Sequence, residues 1–162
     1  VYGDEPSEEA VFMRTIPFVQ SIYEAFSRGD IGFVLSVADP NITWISNADP
    51  ALLSFGGERR GIDGVESFFR ERAADIYVDS YQPLEFVGGP DFVVVLGRSI
   101  NRSRRTGESF EDNWMHLFRI KDWKLIEFRG FNDTHALVQA HFGGDIHSIT
   151  VAPSEATAPF QR

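Results

Sequence analysis

Three residues spaced two apart, Asp112, Trp114 and His116, carry the clearest chemical potential in the chain. They lie in SFEDNWMHLFRIK, a run that reads as a β-strand, where alternate side chains share a face. An imidazole in a pocket near neutral pH can serve as acid or base. Asp112 is a candidate to hold its tautomer, and a rim carboxylate in water is the plainer role for that acid. On the next strand Arg129 shares a face with Leu125, Glu127 and Phe131. It can hold a carboxylate or enolate oxygen, or pair with Asp112 or Glu127 across the sheet. Trp44 and Trp114 offer broad apolar walls suited to a flat or polycyclic ligand. The same two rings, with Phe69, can instead simply close a core. His116 likewise has a structural alternative, as a core histidine bonded to Asp112 or to a backbone carbonyl.

The elements that must position these residues fall into two groups. Ile16, Val19, Ile22 or Tyr23, and Phe26 recur at steps of three and four, with Phe12 ahead of them, and mark an amphipathic helix that begins near or bends at Pro17. Gly29 ends it and Asp30 caps a short helix over about 31–37. NITWIS is a β-rich run, and LSFGGERRG reads as a second, short strand. In GIDGVESFFRERAADIY, Asp63 is placed to cap a helix whose inner stripe is Val65, Phe68, Phe69, Arg72 and Ile76. After Val78 come four strand-like runs separated by GGPD, RRTGE and KDW, short turns that imply antiparallel hairpins. Asp133 caps a last helix through Gln139, with an extension strand over 146–151. On the first of the last two strands, Asp112, Trp114, His116 and Phe118 face one way and Asn113, Met115, Leu117 and Arg119 the other. Both sets are mixed, so alternation alone does not say which is inside. Helices early and a strand meander late describe an α+β domain with helices on one face of a curved antiparallel sheet.

The totals narrow the function classes. The chain has 162 residues, 43% of them hydrophobic, with fifteen Phe, which suffices for one domain with a real core. A net charge of −9 repels nucleic acid and anionic membranes. The absence of cysteine removes disulfides, thiol catalysis and thiolate metal sites. His135, His141 and His147 are spaced by six, which does not gather them on one helical turn, so no metal site is expected. Arg98, Arg102, Arg104 and Arg105 read as a solvated hairpin. No apolar run spans a bilayer. A cytoplasmic location is the expectation, although the chain starts with Val and a leader can have been removed.

YEAFSRGDIGFVLSV, NITWIS, GIDGVESFF and HLFRIKDWKLIEFRGFNDT, in that order, resemble the SnoaL-like family of the nuclear transport factor 2-like superfamily. The resemblance implies a cone-shaped, strongly curved antiparallel sheet wrapped around a long N-terminal helix, with a pocket at the wide end. It covers roughly 16–141. The expected organisation is a flexible N-terminal tail over 1–8, a SnoaL-like domain over 9–143 and a C-terminal extension over 144–162. Members commonly pair through their sheets, which implies a homodimer. They include isomerases, dehydratases, polyketide cyclases, epoxide hydrolases and proteins without a reaction, so the fold does not choose among them.

Carried over residue by residue, the resemblance is uneven. The helix tyrosine of ketosteroid isomerases falls at Ile22, with Tyr23 one step on. Their strand aspartate falls among Trp44, Ile45 and Ser46, and their second oxyanion donor falls at His116. The hydrolase Arg and two Asp fall at Gly97, Ser99 and Gly130, which argues against epoxide opening. SnoaL-type cyclases fit best, with His116 as the histidine and Asp133 as the acid, although Asp133 is also the cap of the last helix. Two readings stay open. One is an enzyme doing proton-transfer chemistry without a cofactor, as an isomerase, cyclase or dehydratase, on a small, mostly apolar organic molecule. His116 would be donor or base, Asp133 or Asp112 would assist, and Tyr23, Trp44, Phe69, Trp114, Arg129 and Phe131 would contact the ligand. The other is a non-catalytic dimeric ligand-binding or interaction module.

Overall fold

A computed structural model describes residues 8–144, with side chains from Arg14 onward. Of the expected tail and extension, residues 1–7 and 145–162, with the strand expected over 146–151 and His147, lie outside the described residues, while Glu8 already belongs to the first helix. The element order is α1 (Glu8–Ser27), α2 (Ile31–Val37), β1 (Ala38–Ser46), β2 (Gly57–Arg60), α3 (Gly61–Asp75), β3 (Ile76–Gly88), β4 (Phe92–Ser103), β5 (Ser109–Lys121), β6 (Lys124–Phe131) and α4 (Thr134–Phe142).

The long first helix forms where its stripe requires it: Val19, Ile22, Tyr23 and Ala25 are buried. It runs through Pro17 rather than starting there. Proline deletes one hydrogen bond to the carbonyl four residues back, a local loss that the packed face outweighs. Asp30 caps α2 by accepting from the Phe33 N–H, as expected. α3 begins at Gly61 with no side-chain cap, so Asp63 lies in its first turn and not at its N-cap. Of LSFGGERRG only Gly57–Arg60 is strand, because the residues before it form turns around Leu53 and Gly56.

The six strands lie in the order β2-β1-β6-β5-β4-β3. β3 to β6 form antiparallel hairpins. β1, however, pairs with β6 in parallel, so the sheet is mixed rather than wholly antiparallel. The long α3–β5 excursion between them carries the chain back to the same edge, and that permits parallel pairing. Register shifts at Val78/Ser80 and Pro83/Glu85 in β3 are the bulges that bend an edge strand. Helices α1 and α3 cover the concave face, and the core fills between them and β1, β4, β5 and β6.

On β5 burial alternates without a break, and Phe110, Asp112, Trp114, His116, Phe118 and Ile120 face inward. The charged and amide residues between them therefore face water. On β6 the alternation breaks. Arg119 pairs with Glu127 but Ile120 with Leu125, a bulge that puts Leu125, Phe128 and Gly130 inside. Strict alternation had put Leu125, Glu127, Arg129 and Phe131 on one face. The extra residue separates Leu125 from the other three and leaves Arg129 and Phe131 outside.

Candidate functional site

A cavity of about 810 Å³ opens between α1, α3 and the concave face of the sheet. Its walls are chiefly aromatic, and that volume lies within the range of small-molecule sites. Two glycines make room for its rings. A Cβ at Gly97 would lie 2.2 Å from the Trp114 ring, and one at Gly130 would lie 3.1 Å from Phe128 and 3.7 Å from His116. These glycines are the cross-strand partners of Trp114 and His116 respectively. Positions that carry polar groups in the hydrolase comparison are thus spent here on ring clearance.

His116 lines the cavity and is buried. Its Nδ1 lies 2.8 Å from the Tyr23 hydroxyl. The imidazole stacks on Trp114 at 4.4 Å, and Trp114 stacks in turn on Tyr81 at 4.7 Å. The other ring nitrogen, Nε2, has no partner among the described residues. It is also not among the sealed unpartnered atoms, which are Trp44 Nε1, Asn101 Oδ1 and Trp114 Nε1, so it faces the cavity. Burial, reinforced by the nearby Arg72 cation, lowers the His116 pKa to about 3, so the ring is neutral at physiological pH. Burial and the neighbouring Tyr81 push the Tyr23 phenol up, so it stays protonated.

Arg72 comes from the last turns of α3 and lines the same cavity. No carboxylate pairs with it and no hydrogen bond holds its guanidinium among the described residues. Burial lowers its pKa, and Tyr81 and Asp112 oppose that shift from a distance. Tyr81, half-buried on β3, also keeps its hydroxyl free of partners among the described residues and faces the cavity. Burial raises its pKa against the pull of Arg72. Arg72 and Tyr81 are the site residues that sequence reasoning passed over. The signal for the first was present: Arg72 was the one cation on an otherwise apolar inner stripe.

The remaining candidates divide cleanly. Trp44 and Phe69 line the cavity, with Trp44 stacked on Phe128 at 3.9 Å. Trp114 supports His116 from beneath. Asp112 is buried on the same face but does not reach His116. Its carboxylate accepts from Asn132 Nδ2 at 2.7 Å and from the Asp133 N–H at 2.8 Å. Burial still leaves its pKa raised. Asp133 points to α4, which it caps by accepting from the Ala136 N–H. Arg129 is exposed on the outer face and donates to Glu127 at 2.8 Å, and Phe131 is exposed beside it. Glu24, exposed, is the sole carboxylate among the described lining residues. No cluster of three potential metal ligands occurs among the described residues.

A bent sheet closed on one side by helices, with a cavity between them, is the architecture of the nuclear transport factor 2-like class of α+β cones. Solved structures of that class superpose on the chain. A nuclear transport factor 2-like protein from Burkholderia xenovorans matches at TM-score 0.71 and 27% identity, covering 80% of this chain and 97% of its own. One of unknown function from Burkholderia pseudomallei matches at TM-score 0.72 and 26% identity, covering 77% and 95%. TerC, co-crystallised with polyporic acid, shares the fold at TM-score 0.66 and 22% identity, covering 78% and 97%. The family model of the SnoaL-like domain matches residues 19–128, and the chain belongs to that family. No curated protein matches it in sequence.

Proposed function

We propose that the chain binds a small, mostly apolar organic molecule in the cavity and promotes proton transfer on it, as an isomerase, cyclase or dehydratase does. The observation that carries this reading is the neutral, buried His116, bonded on one side to Tyr23 and open to the cavity on the other. In this reading the Tyr23 hydroxyl donates to Nδ1, and the imidazole carries its own proton on Nε2. A neutral imidazole of depressed pKa is a hydrogen-bond donor to a carbonyl oxygen on which negative charge builds as water admitted by the open cavity takes the carbon-bound proton. Asp112 and Asp133 have no part in this step, because both are committed to the start of α4.

Thermal-shift screening against ketones, epoxides and polycyclic acids finds a ligand through its stabilisation of the native state. Turnover of that ligand is then followed by NMR. His116→Ala is expected to lower turnover by about 10²-fold or more while the ligand still raises the melting temperature. An unchanged rate removes His116 from the chemistry. A ligand that binds and is never converted by the native chain favours the non-catalytic module, a reading supported by the absence of a buried carboxylate among the described lining residues.

The same chain is read as a homodimer. Leu96, Met115 and Phe131 are cross-strand partners in one row on the outer face of the sheet, and all three are exposed. Such a row suits a second copy of the sheet. Sedimentation velocity should give twice the chain mass, and Met115→Glu should return it to the monomer.

A further inference from the structure

Arg72 lines the cavity, and no carboxylate among the described residues neutralises it. We propose that the ligand is an anion: a flat aromatic or polycyclic molecule carrying an acidic oxygen group, a carboxylate or an acidic enol, which Arg72 binds. This rests on the reading of the cavity as a small-molecule site and names the chemistry of its occupant.

Removing a guanidinium from water is costly unless an anion meets it. Among the described residues none does. The nearby carboxylate that acts on Arg72 electrostatically is Asp112, whose oxygens are occupied by Asn132 and Asp133. The acids of the same helix are engaged or turned away: Glu71 pairs with Arg59 at 2.6 Å, and Glu66 is exposed. Asp75 accepts from Ser54. Glu24 lies on the cavity wall but is exposed and forms no ion pair with Arg72 among the described residues. Nor does an aromatic face take the charge, since the arginines stacked on rings are Arg102, Arg104 and Arg105.

The groups around Arg72 are those an acidic oxygen would need. Tyr81 presents a free hydroxyl to the cavity and His116 its open nitrogen, and both lie close enough to Arg72 to feel its charge. A guanidinium offers a planar fork of donors that matches the two oxygens of a carboxylate or the paired oxygens of an acidic enol-quinone. Phe68, Phe69, Phe86 and Trp44 supply the apolar faces for the ring body. The chain is strongly acidic overall, so it has no general attraction for anions, and a cation inside the cavity is the local exception.

Two matched pairs test the proposal on the full chain at pH 7: 2-naphthoate against methyl 2-naphthoate, and 2-hydroxy-1,4-naphthoquinone against its methyl ether. Binding is measured by calorimetry for the wild type, Arg72→Met and Arg72→Lys. At least one acid should bind the wild type about tenfold or more tighter than its neutral partner. The pair that discriminates tells carboxylate from enol. In Arg72→Met that preference should collapse while the neutral partner binds within about threefold of wild type, and Arg72→Lys should restore part of it. The unliganded Arg72→Met chain should melt no lower than wild type, because a half-buried charge without a partner among the described residues has been removed from the cavity wall. Equal binding of acid and neutral partner by the wild type overturns the anion assignment and leaves the small-molecule reading in place. Equal loss of both partners in Arg72→Met, with a clear fall in melting temperature, marks a structural arginine and overturns it too. If none of the four compounds binds, the flat-anion assignment falls, and the small-molecule reading is decided separately by the thermal-shift screen.

Discussion

Asp112 and His116 stand on the same face of the same strand, four residues apart and both buried, yet they have opposite fates. Around Asp112 both carboxylate oxygens are engaged. Asn132 and the Asp133 backbone fill its oxygens, and Asp133 passes the order on by capping α4. Around His116 valences are left open: one imidazole nitrogen, the Tyr81 hydroxyl and the Arg72 guanidinium have no partners among the described residues. Closed polar groups fix a fold, whereas open ones in a cavity await a ligand. The difference between the two regions is therefore one of satisfaction, not of burial or residue type.

The most forceful way to break this comparison is Asp112→Ala. It strands an amide and a backbone N–H, so it should cost about 3 kcal/mol in denaturant unfolding. Hydrogen exchange should show the loss concentrated in α4. A neutral result would mean that the Asp112 region is as dispensable to the fold as an open site.

A smaller effect has opposite signs in the two regions. Burial lowers the His116 pKa to about 3, while the unfolded ring titrates near its ordinary 6.5. Between those values the unfolded chain holds the proton and the native chain does not. His116 should therefore cost about 1.4 kcal/mol of stability for each pH unit of acidification through that window. Burial raises Asp112 above its ordinary 3.8. Its contribution is present below 3.8 and is lost as pH rises through its native pKa. Unfolding measured from pH 3 to 7 should show a gentler acid decline in His116→Phe and a steeper one in Asp112→Asn. The same sign of change in both variants would erase the distinction. At fixed neutral pH, Asp112→Asn sharpens the contrast most gently. One amide oxygen still accepts, so its loss should stay near 1 kcal/mol and well below that of the alanine variant.

Much of this was legible in the chain itself. The helix stripe of α1, the hairpin turns and the capping by Asp30 and Asp133 are local matters of period and turn chemistry, and the structure repeats them. The family words carried the cone. His116 is singled out by its spacing with Asp112 and Trp114 and by its alignment with an isomerase oxyanion donor, and Trp44 as a broad apolar wall; with Phe69, both line the cavity. Arg129 and Phe131 were misplaced by one bulge in β6, since a single extra residue exchanges the faces of everything beyond it. Arg72 lay in plain view on the inner stripe of α3, but a stripe does not say whether a cavity opens beside it.

The amino-acid order alone determined where most helices and strands lie and, on α1 and α3, which side is apolar, because those follow from spacing a few residues long. Only the folded chain decided which polar groups would meet. Asp112 finds its partners at Asn132 and Asp133, twenty and twenty-one residues along, and His116 finds Tyr23 ninety-three residues back. Such pairings depend on how bulges, glycine clearances and a parallel β1–β6 contact bring distant strands and helices together. The arginine left without a partner among the described residues is a product of that assembly, and no local rule in the sequence encodes it.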